Sequence, residues 1–141
     1  MNRADSFWER LRTTFFPVLH ACFDERVMFE GWSGIEQYAG TLEMDEDEIE
    51  THLRALGFNR NPVAALKSRS WAPGDVDGVS EGSWVRRERP LTSFQLHVTL
   101  FSNEHDGTYD LLAHWEPSWI RHPLRHYRSE EVDSEEGVDR I

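Results

Sequence analysis

The sequence predicts an α+β domain: a mainly antiparallel sheet of about five strands with helices packed on one face. Three observations carry that prediction. Segments 94–101 and 109–116 alternate apolar and polar residues, as the two strands of a half-buried hairpin do. A complete helix signature lies at 45–56, directly after a strand-like stretch at 35–42. The chain order reads helix, strand, helix, then at least four strands, with no internal repeat or heptad array.

The chain has 141 residues, which suits one domain with one core. We expect residues 1–128 to form it and residues 129–141, acidic and poor in large apolar groups, to be a flexible tail. Six Trp supply large anchors for a core or an interface. The charge is lopsided: 26 acids face 15 bases, and Lys67 is the only lysine. Acid-rich, lysine-poor chains suit a saline interior, where salt screens the self-repulsion of a net charge of -11. The expected signature is a melting temperature that rises between dilute buffer and molar KCl; a flat or falling one contradicts salt adaptation. The single cysteine, Cys22, excludes an internal disulfide, and no stretch has the length and apolarity of a spanning helix. The reading is a cytoplasmic protein without a membrane partner.

Taken in order, residues 5–24 read as an amphipathic helix with Trp8, Leu11, Phe15, Val18, Leu19, Cys22 and Phe23 on one stripe, kinked at Pro17. That stripe is a core face or, alternatively, a homodimer surface. Residues 35–42 read as a strand. In the helix that follows, Asp45 is placed to cap, with Glu48 three residues on. Ile49, Leu53 and Leu56 form its buried stripe, Glu50 and Arg54 pair four apart, and Gly57 closes it. Residues 63–71 and 82–89 read as strands joined by a loop rich in Gly, Pro and Asp. In the hairpin, one face collects Leu96, Val98, Leu100, Leu111, Ala113 and Trp115. The other collects Gln95, His97, Thr99, Leu112, His114 and Glu116. His97 pairs with His114 directly or after a shift of two; a shift of one would mix the faces. Segment 119–128 is aromatic-rich and broken by Pro123, so one helical turn or an ordered loop packed back on the sheet is expected there.

The polar hairpin face is the candidate site. Five of the seven histidines lie between positions 97 and 126. His97, His114 and Glu116 can project from adjacent strands to one side, which is geometrically compatible with a metal. The familiar ligand spacings are absent, however, and the expectation is no metal and no cofactor, with hydrogen-bonded structural histidines. A second candidate is the positive middle of the chain. Residues 51–100 carry seven basic and four acidic side chains, including Arg69, Arg86, Arg87 and Arg89, which could bind an anion. Pairing with acids of the flanking thirds is the competing role. Nucleic acid is disfavoured because high salt would weaken a purely electrostatic contact.

Leu96-His97-Val98-Thr99-Leu100 resembles the His-x-Thr strand motif of the two-histidine phosphoesterases. That resemblance implies His97 and a second histidine as general acid and base, with Thr99 on the phosphate. The second motif departs from the pattern: in His114-Trp115-Glu116 a carboxylate stands where the family needs a hydroxyl, and it would repel phosphate. More broadly, Tyr38-Ala39-Gly40-Thr41-Leu42, Gly57-Phe58-x-x-Asn61-Pro62, the strand at 96–101 and Trp119-Ile120-Arg121-His122-Pro123 resemble a family of small proteins of halophilic archaea. That resemblance implies salt adaptation and no activity. The leading expectation is therefore a small binding or interaction domain rather than an enzyme. A phosphoesterase-like hydrolase using His97 and His114 and an anion or nucleic-acid binder using the arginines between Arg54 and Arg89 are the alternatives.

Overall fold

The computed structural model describes residues 34–61, 80–103 and 105–141. The expected helix at 5–24, the dimer surface drawn on it, the strand at 63–71 and Arg69 lie outside the described residues.

Five antiparallel strands form one sheet: β1 (Tyr38–Leu42), β2 (Asn59–Arg60), β3 (Gly82–Arg86), β4 (Phe94–Asn103) and β5 (Thr108–Pro117), in the spatial order β1-β5-β4-β3-β2. Each neighbouring pair is antiparallel, so β1 and β2, the outermost strands among the described residues, run the same way. Helix α1 (Glu46–Ala55) connects them across the sheet. The α+β class and the strand number agree with the sequence pattern. A single 3-10 turn (Ile35–Gln37) replaces the first part of the strand expected at 35–42.

The local signals of α1 act as its residues suggest. Asp45 accepts from the Glu48 backbone N–H at 2.9 Å, a cap worth about 1 kcal/mol. At the other end Gly57 has φ +86°, Phe58 N–H reaches Leu53 O at 2.9 Å, and Gly57 N–H reaches Arg54 O at 3.0 Å. This is a Schellman ending, which needs the left-handed residue that glycine supplies without steric cost. Glu50 is buried, and its carboxylate is met by Arg54 at 2.6 Å and Arg60 at 2.7 Å. The second arginine ties α1 to β2.

Ile49, Leu53 and Phe58 pack onto Trp84, Leu96, Val98, Leu100, Leu111 and Ala113. This is the apolar face the alternation marks out, and burying each large side chain contributes about 1.5–3 kcal/mol. The hairpin takes the direct register, His97 opposite His114.

The acidic C-terminal segment has order that its composition does not suggest. Beyond Leu112 the outer edge of β5 is no longer paired with β1. Asp133 takes it over, exchanging two backbone hydrogen bonds of 2.8 Å with Trp115. A short helix follows, α3 (Ser134–Asp139), capped by Asp133 on the Glu136 N–H at 2.9 Å. Gly137 sits so close to β5 that a Cβ there would collide with the His114 backbone. Arg140 then lies 4.0 Å over the Trp115 ring. An uncovered strand edge offers unpaired backbone groups, and this segment satisfies them. Between β5 and α3, α2 (Pro123–Tyr127) is a short helix, where one turn or an ordered loop was expected. Among the described residues no helix is long and apolar enough to cross a membrane.

Candidate functional site

The second face of the sheet is buried as completely as the first. Gln95, His97, Thr99, Phe101, Leu112, His114 and Glu116 are all nearly inaccessible, and Ser83 and Val85 on β3 extend the same layer. In segment 119–128, expected to pack on the sheet, Trp119, Ile120 and Leu124 are 42%, 43% and 68% exposed, so these side chains alone do not seal the face. Polar groups reach the face instead: Gln37 from the 3-10 turn before β1, Arg87 from the end of β3, and His126 from α2.

At the centre, three side chains converge. His97 Nδ1 lies 3.1 Å from His114 Nε2 and 3.1 Å from Glu116 Oε1. His114 Nε2 lies 3.1 Å from Glu116 Oε2. The backbone explains the meeting. His97 and His114 are direct cross-strand partners, and Glu116 follows His114 by two, so all three Cβ atoms point to one side. The two rings meet edge to face with centroids 4.7 Å apart.

Burial alone would raise the Glu116 carboxyl. The His97 charge beside it and hydrogen bonds from His114 and His97 outweigh burial and hold it well below the usual carboxylate range. Glu116 is therefore an ionised acceptor, and Gln95 Nε2 donates to its Oε1 at 2.8 Å. Arg87 Nε in turn donates to Gln95 Oε1 at 2.9 Å. Burial lowers the Arg87 guanidinium from its ordinary value, while the Glu116 charge works against that. His126 Nδ1 sits 3.4 Å from Glu116 Oε2 and 3.1 Å from the Pro117 carbonyl. On the far side of His114, Nδ1 stands 3.0 Å from Gln37 Oε1.

The other predicted site residues are placed differently. Thr99 belongs to the same face, but its hydroxyl is 3.2 Å from that of Ser83. Arg86 lies over the Phe58 ring at 4.9 Å and donates to the Arg140 carbonyl at 3.2 Å. Arg87 points to Gln95, and Arg89 is exposed. The three described arginines do not converge on one point. Gln37, Gln95 and His126 were missed by sequence reasoning as members of a site. Gln95 was visible as a face residue; nothing in the local sequence marks Gln37.

Comparison with protein-family models, curated proteins and solved structures finds no match to this chain.

Proposed function

We propose that this chain is a metal-binding domain, with His97 Nδ1, His114 Nε2 and the Glu116 carboxylate as ligands for one divalent transition-metal ion. The observation that carries the reading is the closed triangle of 3.1 Å contacts among those three groups. With Glu116 ionised, protons leave a mismatched edge in such a triangle. Glu116 is acceptor-only, so both ring nitrogens would have to donate to it, and they would then face each other donor to donor. If either nitrogen is bare, two lone pairs oppose each other on at least one edge. A mismatched edge in a buried site costs about 1–3 kcal/mol. A cation at the centre accepts all three lone pairs at once.

The spacing supports this. Two donors each about 2.1 Å from one ion, at tetrahedral or octahedral angles, lie about 3.0–3.4 Å apart. Two imidazoles with one carboxylate favour zinc, iron, cobalt or nickel over calcium or magnesium, which prefer all-oxygen sites. The same geometry weighs against a phosphoesterase. His97 and His114 touch, which leaves no room for a phosphodiester between acid and base, and Glu116 supplies negative charge where phosphate would sit.

Cobalt is a suitable reporter. Purified protein stripped with chelator and titrated with Co2+ should develop visible d–d absorption that saturates at one equivalent and is displaced by Zn2+. A spectrum no different from free aqueous cobalt rejects the proposal.

A further inference from the structure

Two glutamine amides meet the proposed ligands from opposite sides, with opposite polarity. Gln37 presents its carbonyl oxygen to His114 Nδ1 at 3.0 Å. Gln95 presents its NH2 to Glu116 Oε1 at 2.8 Å. The Gln95 orientation is fixed by a third group: Arg87 Nε can only donate, so at 2.9 Å the amide oxygen must face it and the NH2 must face the carboxylate. Both glutamines are buried, at 8% and 0% exposure, so neither contact is shared with bulk water.

Resting on the metal reading, we infer that Gln37 and Gln95 are positioning residues that set the donor state of the site. An oxygen at His114 Nδ1 requires hydrogen on that nitrogen, which leaves the lone pair on Nε2, the atom aimed at the ion. Without that oxygen the ring is free to take the other tautomer, which puts hydrogen where the metal would bind. The NH2 at Glu116 Oε1 fixes the plane of the carboxylate. It also favours the ionised form, and Arg87 behind it strengthens that donor through the shared amide. Such outer partners are typically worth about 10–100-fold in metal affinity. Gln95 is the direct cross-strand partner of Glu116 in the hairpin, whereas Gln37 comes from outside it, 77 residues from His114 in the chain. The fold therefore brings the partner of His114 from outside the ligand-bearing hairpin and the partner of Glu116 from within it.

The test is Co2+ affinity and d–d absorption of the full chain for wild type, Gln37→Leu, Gln37→Glu and Gln95→Leu, with melting of each metal-free form. Each leucine variant should bind Co2+ about 10–100-fold more weakly. Gln37→Glu keeps an acceptor at Nδ1 and should restore affinity to within about tenfold of wild type, with its absorption bands intact. A structural role alone would lower melting in the leucine variants and leave their affinity unchanged, which overturns the inference while the metal reading stands. Absence of cobalt binding by wild type overturns both. If Gln37→Leu does not fold, Gln95→Leu carries the same comparison, and wild-type affinity there rejects the inference.

Discussion

Glu116→Gln should abolish the response of this protein to zinc without unfolding it. In wild type, zinc at a hundredfold excess over its dissociation constant stabilises the native state by about 2.7 kcal/mol. For a chain of this size that is roughly 10 °C in melting temperature. Glutamine keeps the shape of Glu116 and removes the charged ligand. Without metal the variant should melt somewhat below wild type, because the His97 charge and the hydrogen bonds that favour the ionised carboxylate are lost while the isosteric amide keeps the packing. With zinc it should show almost none of the 10 °C rise. Differential scanning calorimetry with and without zinc reads both values. A variant that keeps the full shift removes Glu116 from the ligand set. One that melts far below wild type without metal shows that the carboxylate's hydrogen bonds hold the face together even without an ion.

Gly137→Val should be the most damaging single change in the C-terminal segment. The added Cβ would meet the Cα, C and N atoms of His114, which are backbone and cannot move aside as a side-chain end can. Helix α3 must lift, and the Asp133–Trp115 pairing and the Arg140 stacking lie on the element that lifts. A loss of about 3 kcal/mol, or roughly 10 °C, is expected from overpacking of this kind. Glu135→Val, on an exposed position of the same helix, controls for the valine itself. Equal melting of Gly137→Val and the control would place α3 away from β5.

The hairpin, its two faces and the limits of α1 were legible because they rest on short-range rules: alternation, a cap three residues from its donor, a glycine at a left-handed position. The convergence of His97, His114 and Glu116 followed from the same alternation. Which groups complete their face did not follow, because some of them come from far away in the chain. Trp119, Ile120 and Leu124 stay partly exposed, and from the same segment it is His126 that reaches the face. Gln37 arrives with β1 and carries no local mark. Helix α3 was missed for a different reason. Its acidic composition resembles a solvated tail, yet Asp133 and Glu136 repeat the spacing of Asp45 and Glu48, and the same capping contact forms. What the pattern could not convey is that an edge of β5 stood unpaired, waiting for a backbone partner.

The crossing of α1 from one sheet edge to the other also has a temporal meaning. His97 and His114 are 17 residues apart, so the hairpin that joins them closes a short loop. Gln37 and His114 are 77 apart, and their meeting requires β1 to dock on an already formed β5. Long loops cost more entropy to close, and strands paired over long separations are slow to form. The imidazoles and the carboxylate can therefore gather early, while the amide that selects the His114 tautomer is delivered at the end. We predict that refolding ends with the site's selectivity rather than with its ligands. Pulse-labelled amide exchange would contradict this order if β1–β5 hydrogen bonds were protected before those of β4–β5.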